Sequence, residues 1–368
     1  MFDTQPLGNL IDFFNGKAIK PGGSGQYPAY GSNGLIGGSD ESKYENAIII
    51  GRVGAYCGSI AYCPTRFWAS DNTIVARPKS PSGDVRYFAY LLQFLELNRH
   101  AGGAAQPLVT QTTLRQVMAP AAPEPTQRRI AFILSAYDDL IENNSRRIAI
   151  LEEMARRLYE EWFVHFRFPG HEQARMVESE LGLIPEGWSV ERVGDVLQRL
   201  PAGTTYKKEQ VHETGNVIVV DQSTADYLGF HDAAPDHLAS VDTPIAIFGD
   251  HTCKLTLMVR PFSIGPNTVP FIGAKSLDTA YTFQLVQGLV STHEYKRHWT
   301  SLSDKQVVLC PMALAATYGK RVRGMVHLML LLNEKNANLR AQRDLLLPKL
   351  ISGEIDVSAF PEPEAVAA

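Results

Sequence analysis

One heptad ladder occurs twice in this chain, each time directly after a stretch without helical periodicity. In the first copy apolar side chains alternate four and three apart: Ile130, Leu134, Tyr137, Ile141, then Ile148, Leu151, Ala155, Leu158 and Trp162, interrupted by Asn144. That spacing predicts a coiled-coil seam. Positions 188 residues further on read Tyr318, Val322, Met325, Met329, Leu332, Asn336, Leu339, Arg343, Leu346 and Leu350, a weaker seam in the same register. Asn144, Asn336 and Arg343 at seam positions either fix register at some cost in stability or mark local irregularity.

The repeat extends beyond the helices. Leu7, Gly8, Asn9 and Leu10 match Val193, Gly194, Asp195 and Val196; the strand-like run Ala47 to Gly51 matches Ile245 to Gly249; Asn72 and Thr73 match Asn267 and Thr268. The offset drifts as loop insertions require. The chain therefore reads globule, helix, globule, helix.

With 368 residues, 45% hydrophobic and 20% charged, there is room for two ordinary cores plus the helices. The longest apolar run of the second ladder, Leu328 to Leu332, is far too short to span a bilayer, and the first residues show no basic-then-apolar signal pattern. Cys57, Cys63, Cys253 and Cys310 have neither zinc-ligand spacing nor the density of a disulfide framework. They read as reduced, buried thiols of a cytoplasmic protein; His251 with Cys253 lacks the second pair a metal site needs.

The formal charge of -4 is unevenly spread. Pro311 to Gly353 holds seven Lys and Arg against two acids, and the tail from Glu354 is acidic. The first globule has ten basic and eight acidic residues up to Pro120; the second, Glu186 to Cys310, has ten and fourteen. Nucleic-acid binding must then rest on local patches.

Proline and glycine mark the boundaries. They predict a first domain over 1–125, a helix over 126–168 with Thr126 as cap, a link over 169–185, a second domain over 186–311, a helix over 312–353 capped by Thr317, and a disordered tail over 354–368. Pro348 is expected to kink or end the last helix. Ala47 to Ile50, Ser59 to Tyr62 and Thr73 to Ala76 read as strands, as do Val217 to Val220, Ile245 to Phe248 and Leu255 to Val259. Short helices are expected at Val85 to Leu97 and Thr279 to Val290. The fold class is α+β, with two β-rich mixed domains and two long helices packed as an antiparallel coiled coil.

Three segments resemble a known family. LGLIPEGW (Leu181 to Trp188) before a Val-Gly-Asp-Val strand start, RRIAILEEMARRLYEEWFVHF (Arg146 to Phe166) and LLLPKLISGEI (Leu345 to Ile355) look like the specificity subunit of type I restriction-modification enzymes. The resemblance runs through nearly the whole chain in order. It implies two target-recognition domains, each reading half of a bipartite double-stranded DNA target, and spacer helices that dock two modification subunits and, with them, restriction subunits. A helix of about 33 residues is roughly 50 Å long at ~1.5 Å per residue, enough to hold two readers about one DNA turn, ~34 to 36 Å, apart. Two globules unlike in sequence predict unlike half-sites.

Residue chemistry nominates the DNA contacts. In the first globule Tyr27, Tyr30, Ser32 and Asn33 crowd a Gly-rich turn, Arg52 follows the strand, where bidentate contact to guanine is the commonest specific pairing, and Arg66, Trp68, Ser70 and Asn72 form a second cluster. Lys17 and Lys20 suit phosphates. The counterparts in the second globule are Lys207, Lys208, Gln222, Ser223, His251, Thr252, Lys254 and Asn267. Asp250 and His251 stand where the first copy has Arg52 and Val53, which either removes the contact or changes the base preference. The outward charges Glu152, Glu153, Arg156, Arg157, Glu160 and Glu161 are a solvated face or a partner surface, with Arg156, Arg157, Glu160 and Glu161 the nominated partner contacts.

The chain contains no Gly-x-x-x-x-Gly-Lys-Ser/Thr phosphate loop and no Asn/Asp-Pro-Pro-Tyr/Phe motif. It reads as a non-catalytic subunit that holds no cofactor, with S-adenosylmethionine, ATP and Mg²⁺ belonging to partner subunits. The rival reading is a coiled-coil scaffold whose globules bind protein.

Overall fold

Ala47–Ile50 has no polar alternation, and all four side chains are buried. A strand with such a run must be covered on both faces. In the computed structural model, which describes residues 2–103, 107–223, 225, 227–292 and 297–361, Ile48 and Ile50 face one apolar cluster while Ala47 and Ile49 face another. Ala246 and Phe248 face one cluster of the second repeat and Ile247 another.

The chain packs as two units, one made of the residues up to Asn143 with those from Lys335 onward, the other of Asn144–Glu334. The domain boundaries therefore cut through the helices, and each unit owns part of both.

The first unit carries β1 (Ile11–Asn15), β2 (Tyr27–Gly31), β3 (Gly34–Ser39), β4 (Tyr44–Gly51), β5 (Ile60–Ala69) and β6 (Thr73–Pro78) in one sheet of order β1-β6-β4-β5-β2-β3. Only β2 and β5 pair in parallel, Ala29 opposite Trp68 and Tyr30 opposite Ala69. Helix α1 (Val85–Phe94) is capped by Asp84, which accepts the Tyr87 N–H, and buries Tyr87 and Leu91. Helix α2 (Gln111–Gln116) is capped by Thr110 and packs on the short helical turn Leu7–Leu10 at Gly8. Ile130, Ala131 and Leu134 of the first long helix, Glu124–Tyr159, close the core together with Leu350 and Ile351 of the second, Met312–Ser352.

The second unit repeats this plan. Strands β7 (Leu197–Arg199), β8 (Val217–Val220), β9 (Gly229–His231), β10 (Ile245–Gly249), β11 (Leu255–Met258), β12 (Phe262–Ile264) and β13 (Thr268–Gly273) form two sheets, β7-β13-β10-β11 and β9-β8-β12. Together β11 and β12 stand where the first unit has continuous β5, and β8 pairs in parallel with β12 as β2 does with β5. The break falls at Val259, Arg260 and Pro261. Proline has no N–H to give the ladder, so the strand splits there. Helix α3 (Thr279–Leu285) is capped by Asp278, the counterpart of Asp84. Helix α4 (Trp299–Ser303) packs on the short helical turn Val193–Val196 as α2 packs on Leu7–Leu10.

The long helices are antiparallel, because residue numbers rise along one as they fall along the other. In the first unit Arg343 pairs with Asp138 at 2.5 Å and Asn336 Nδ2 donates to Ile141 O at 3.4 Å. In the second unit Tyr318 donates to Ala155 O at 3.2 Å, and its ring meets Tyr159, Trp162 and Phe163. No seam residue of either ladder is exposed. Asn144 and Asn336 are buried polar seam residues, and Arg343 is ion-paired, so these positions are built in rather than frayed.

Several local expectations are corrected. Val193–Val196 is a helical turn, not a strand start. The first long helix begins at Glu124, ahead of Thr126, and ends in a π-helical turn, Glu160–Val164. Thr317 lies inside the second long helix, where its hydroxyl donates to Ala313 O at 2.8 Å. That helix continues through Pro348 to Ser352, since Leu346, Leu347, Leu350 and Ile351 around the proline pack into the first core. The link contains an antiparallel hairpin, Met176–Ser179 with Gly182–Pro185. The tail is anchored at two points within 354–361: Val357 is buried and Phe360 O accepts from Arg129 Nε at 2.8 Å. Residues 362–368 lie outside the described residues. The helix expected at Val85 to Leu97 ends at Phe94, and the one at Thr279 to Val290 ends at Leu285. Among the described residues no helix is long and apolar enough to cross a membrane, and all four cysteines are free, with Cys57, Cys63 and Cys310 buried.

Candidate nucleic-acid interface

Each central strand ends in a glycine that no other residue can replace without displacing its neighbours. A Cβ on Gly51 would lie 2.4 Å from Tyr56 O and Ser59 Oγ; one on Gly249 would lie 2.6 Å from Thr252 Oγ1. Chain packed this closely is held by hydrogen bonds, and the two units share the main-chain ones.

In the first unit the loop leaving β4 is fastened on three sides. Arg52 N–H donates to Asn72 O at 2.9 Å. Ser32 Oγ accepts from Arg52 N–H and Val53 N–H and donates to Asn72 O at 2.6 Å. Ser59 Oγ donates to Ser32 O at 2.8 Å. A strap leading into α2 closes the frame, with Val109 N–H donating to Arg52 O at 3.0 Å.

The second unit repeats every side of this frame. Asp250 N–H donates to Asn267 O at 2.8 Å, and His298 N–H, on the strap into α4, donates to Asp250 O at 2.8 Å. Gln222 takes the place of Ser32: its Oε1 accepts from His251 N–H at 2.9 Å and its carbonyl from Thr252 Oγ1 at 2.8 Å. Two cradles of one design thus present different side chains.

The structure brings Ser32, Asn33, Arg52 and Asn72 together on the first cradle, where Gly31, Ser32, Asn33, Gly34, Gly51 and Tyr56 line a hollow of about 210 Å³. Ser32 is a positioning residue there, its hydroxyl committed to the loop. Tyr27 and Arg66 form a separate pair, the guanidinium 5.4 Å from the ring centre. Lys17 lies 5.9 Å from the Trp68 ring, and Lys20 is exposed. Trp68 and Ser70 are buried, so both support the loop instead of facing solvent; the Trp68 indole N–H donates to Lys17 O at 2.9 Å. Tyr30 is half-buried against Phe67, and burial, with Cys63 beside it, pushes its hydroxyl up to about 12.

In the second cradle Gln222, His251, Thr252 and Asn267 meet as their counterparts do, whereas Ser223 and Lys254 turn inward. Ser223 donates to Asp221 Oδ1 at 2.6 Å, and the Lys254 ammonium is tied to Ser223 O at 2.8 Å and to Ala225 O. Lys207 and Lys208 are exposed. Among the described residues no group of three or more His, Cys, Asp or Glu is placed to hold a metal ion.

An array of two buried residues, His231 and Ser263, with the exposed Asp236, resembles a hydrolytic triad but has the wrong polarity. Ser263 donates to Asp236 Oδ2 at 2.8 Å, and its oxygen lies 3.0 Å from His231 Nε2, while His231 Nδ1 accepts from Ala233 N–H. A nucleophilic serine must instead give its proton to the imidazole. Burial alone would push the Asp236 carboxyl up, but Thr204 N–H and the Ser263 hydroxyl hold it below its ordinary value. The array braces β9 against β12.

The family profile for the type I restriction modification DNA specificity domain matches residues 2–153, which hold the first cradle. The MjaIX type I specificity subunit of Methanocaldococcus jannaschii is 24% identical over 299 residues, 74% of this chain and 69% of that one. The putative MjaX specificity subunit of the same organism is 23% identical over 339 residues, 84% and 76% of the two chains. Residues 2–153 thus match the DNA specificity domain of type I systems, and most of the chain is similar to type I specificity subunits. The crystal structure of the type I restriction-modification S subunit from M. genitalium shares the fold, with a TM-score of 0.67 and 16% identity over 95% of this chain and 96% of that one. The paired cradles are the repeated element of this fold.

Sequence reasoning missed three groups. Tyr56, 53% exposed at the rim of the first hollow, carries no motif. Arg297 has the signal of standing one residue before the strap. Phe132 and Leu140 in the first unit, and Ile150 and Met154 in the second, are exposed on the first long helix, each pair turned from its own seam at about 100° per residue. The nominated partner charges there are mutually engaged: Arg156 and Arg157 bond Glu153, Arg156 also bonds Glu160, and Arg167 lies 3.1 Å from Glu161. Hydrogen bonds from Arg156 and Arg157 hold the Glu153 carboxyl down at about 2.

Proposed function

We propose that this chain is the non-catalytic DNA-reading subunit of a cytoplasmic type I restriction-modification complex, each unit reading one half of an asymmetric bipartite target. The observation that carries this reading is the cradle built twice with unlike side chains. A frame fixed by backbone hydrogen bonds holds its loop against DNA in either unit, and the side chains it presents choose the bases. Methylation and cleavage then fall to partner subunits, which supply S-adenosylmethionine, ATP and Mg²⁺. The outward face of the first long helix in the second unit, with Ile150 and Met154 beside the Arg156 and Glu153 network, has the apolar and charged mixture of a subunit interface. Two modification subunits, and restriction subunits with them, are its expected occupants.

The test is co-purification of the full chain with its modification subunits, followed by methylation mapping on random DNA. A split asymmetric motif with a fixed gap is expected, with DNA affinity that falls steeply as salt rises. Assembly without sequence-selective methylation would favour the protein-binding scaffold instead.

A further inference from the structure

The cation of the first cradle has no counterpart at the same position of the second, yet the second is not without one. In the first unit the loop position holds Arg52, and the strap residue before Val109 is Leu108, bridged to Val53. Among the described residues the Arg52 guanidinium has no hydrogen-bond or ion-pair partner. In the second unit the loop position holds Asp250, and the strap residue before His298 is Arg297. The matching strap bonds, Val109 N–H to Arg52 O and His298 N–H to Asp250 O, make Arg297 the counterpart of Leu108.

Asp250 is turned inward and Arg297 outward. The Asp250 side chain is 11% exposed, its Oδ1 accepting from His298 N–H at 3.0 Å and Trp299 N–H at 2.9 Å. Its other oxygen, Oδ2, lies 3.8 Å from Arg297 Nε, while the Arg297 side chain is 79% exposed. A carboxylate on Nε leaves the two terminal nitrogens of the guanidinium, the pair that makes bidentate contacts, directed away from it.

We propose that Arg297 is the base-reading arginine of the second unit, aimed by Asp250, and that the cation has moved from loop to strap between the two copies. The proposal rests on the two-reader function and deepens it: the half-site read by the second unit contains a guanine within reach of the strap. Asp250 is a positioning residue. The acidic loop residue, which on its own would repel DNA, becomes part of the reader by holding its arginine.

The experiment compares Arg297→Ala, Arg52→Ala and Asp250→Asn in the full chain assembled with modification subunits, by methylation rate on targets varied one base at a time. Arg297→Ala should lower methylation of the intact target roughly ten- to hundred-fold and relax the base requirement at one position. That position should lie in the half-site that Arg52→Ala leaves untouched. Asp250→Asn keeps the oxygen that caps α4 but removes the charge facing Arg297; it should relax the same base to a smaller degree, with an unchanged melting temperature. Uniform weakening on all targets by Arg297→Ala, with no base relaxed, would mark a phosphate contact and overturn the proposal, as would no change at all. A wild-type assembly that yields no split motif would instead remove the two-reader function beneath it.

Discussion

The two units share a hydrogen-bonded frame and differ in how each is completed. In the first, β5 is unbroken and the core is closed from outside the local sequence, by Leu350, Ile351 and Val357. In the second, Pro261 divides the corresponding strand, and the core is drawn from one continuous stretch, Ala155 to Val322. The loop-end bonds of Asn72 and Asn267 survive both differences. A repeated fold of this kind keeps its main-chain fastenings and lets side-chain identity, charge and even strand continuity drift around them.

The largest effect should come from breaking one core without the other. Ile351→Ala, at a fully buried position of the first unit, should cost about 2–5 kcal/mol. Leu302→Ala should do the same to the second unit, where Leu302 is fully buried. Hydrogen exchange should then show faster exchange at Ile48–Ile50 for the first variant and at Ala246–Phe248 for the second. Equal loss in both strands from either change would mean that the cores are not independent.

The glycines sharpen the comparison of the frames. Gly51→Ala meets a backbone oxygen, Tyr56 O, and should cost about 1–3 kcal/mol as overpacking does. Gly249→Ala meets Thr252 Oγ1 at 2.6 Å and Gln222 Cβ at 2.8 Å, with the nearest main-chain atom at 3.3 Å, and should cost less by thermal denaturation. A reversed order would show that the second loop is the stiffer.

Ser32→Ala should cost more than Gln222→Ala. The Ser32 hydroxyl serves two N–H groups and one carbonyl, so its loss should cost ~1–3 kcal/mol through unsatisfied groups, against ~0.5–1.5 kcal/mol for the single side-chain bond of Gln222. Equal melting temperatures would show that solvent replaces the Ser32 bonds.

The smallest effect is chemical. Burial pushes the Cys310 thiol up to about 11 and also raises Cys57 and Cys253. A raised value means less thiolate, so at pH 8 only about one Cys310 in a thousand is reactive. Titration with a chromogenic disulfide should therefore find Cys253, the only one of the four thiols not buried, reacting first and Cys310 only on unfolding. Rapid reaction of Cys310 in the native protein would show that the second core opens.

What could be read from sequence was whatever is periodic or local. The heptads of Ile130 to Trp162 and of Tyr318 to Leu350 are visible because burial on one helical face imposes a spacing, and Ala47–Ile50 because a doubly covered strand must be apolar throughout. The frame is invisible because it joins Ser32, Arg52, Asn72 and Val109 through main-chain groups, which leave no mark on residue type. Trp68 and Ser70 were nominated by chemistry alone, which does not tell a buried support from an exposed contact. Arg297 escaped notice because its counterpart is Leu108, and a function that changes segment breaks residue-by-residue matching.

Leu350, Ile351 and Val357 also impose an order of events on synthesis. Domains generally fold as units while the chain emerges, the N-terminal one first, but here the first unit lacks part of its core until after Glu334, when the whole second unit is already out of the ribosome. The second unit, drawn from Asn144–Glu334, can close while the first still waits with Leu7, Ile11 and Leu134 incompletely covered. The half of the molecule that is made first is therefore the half that is finished last.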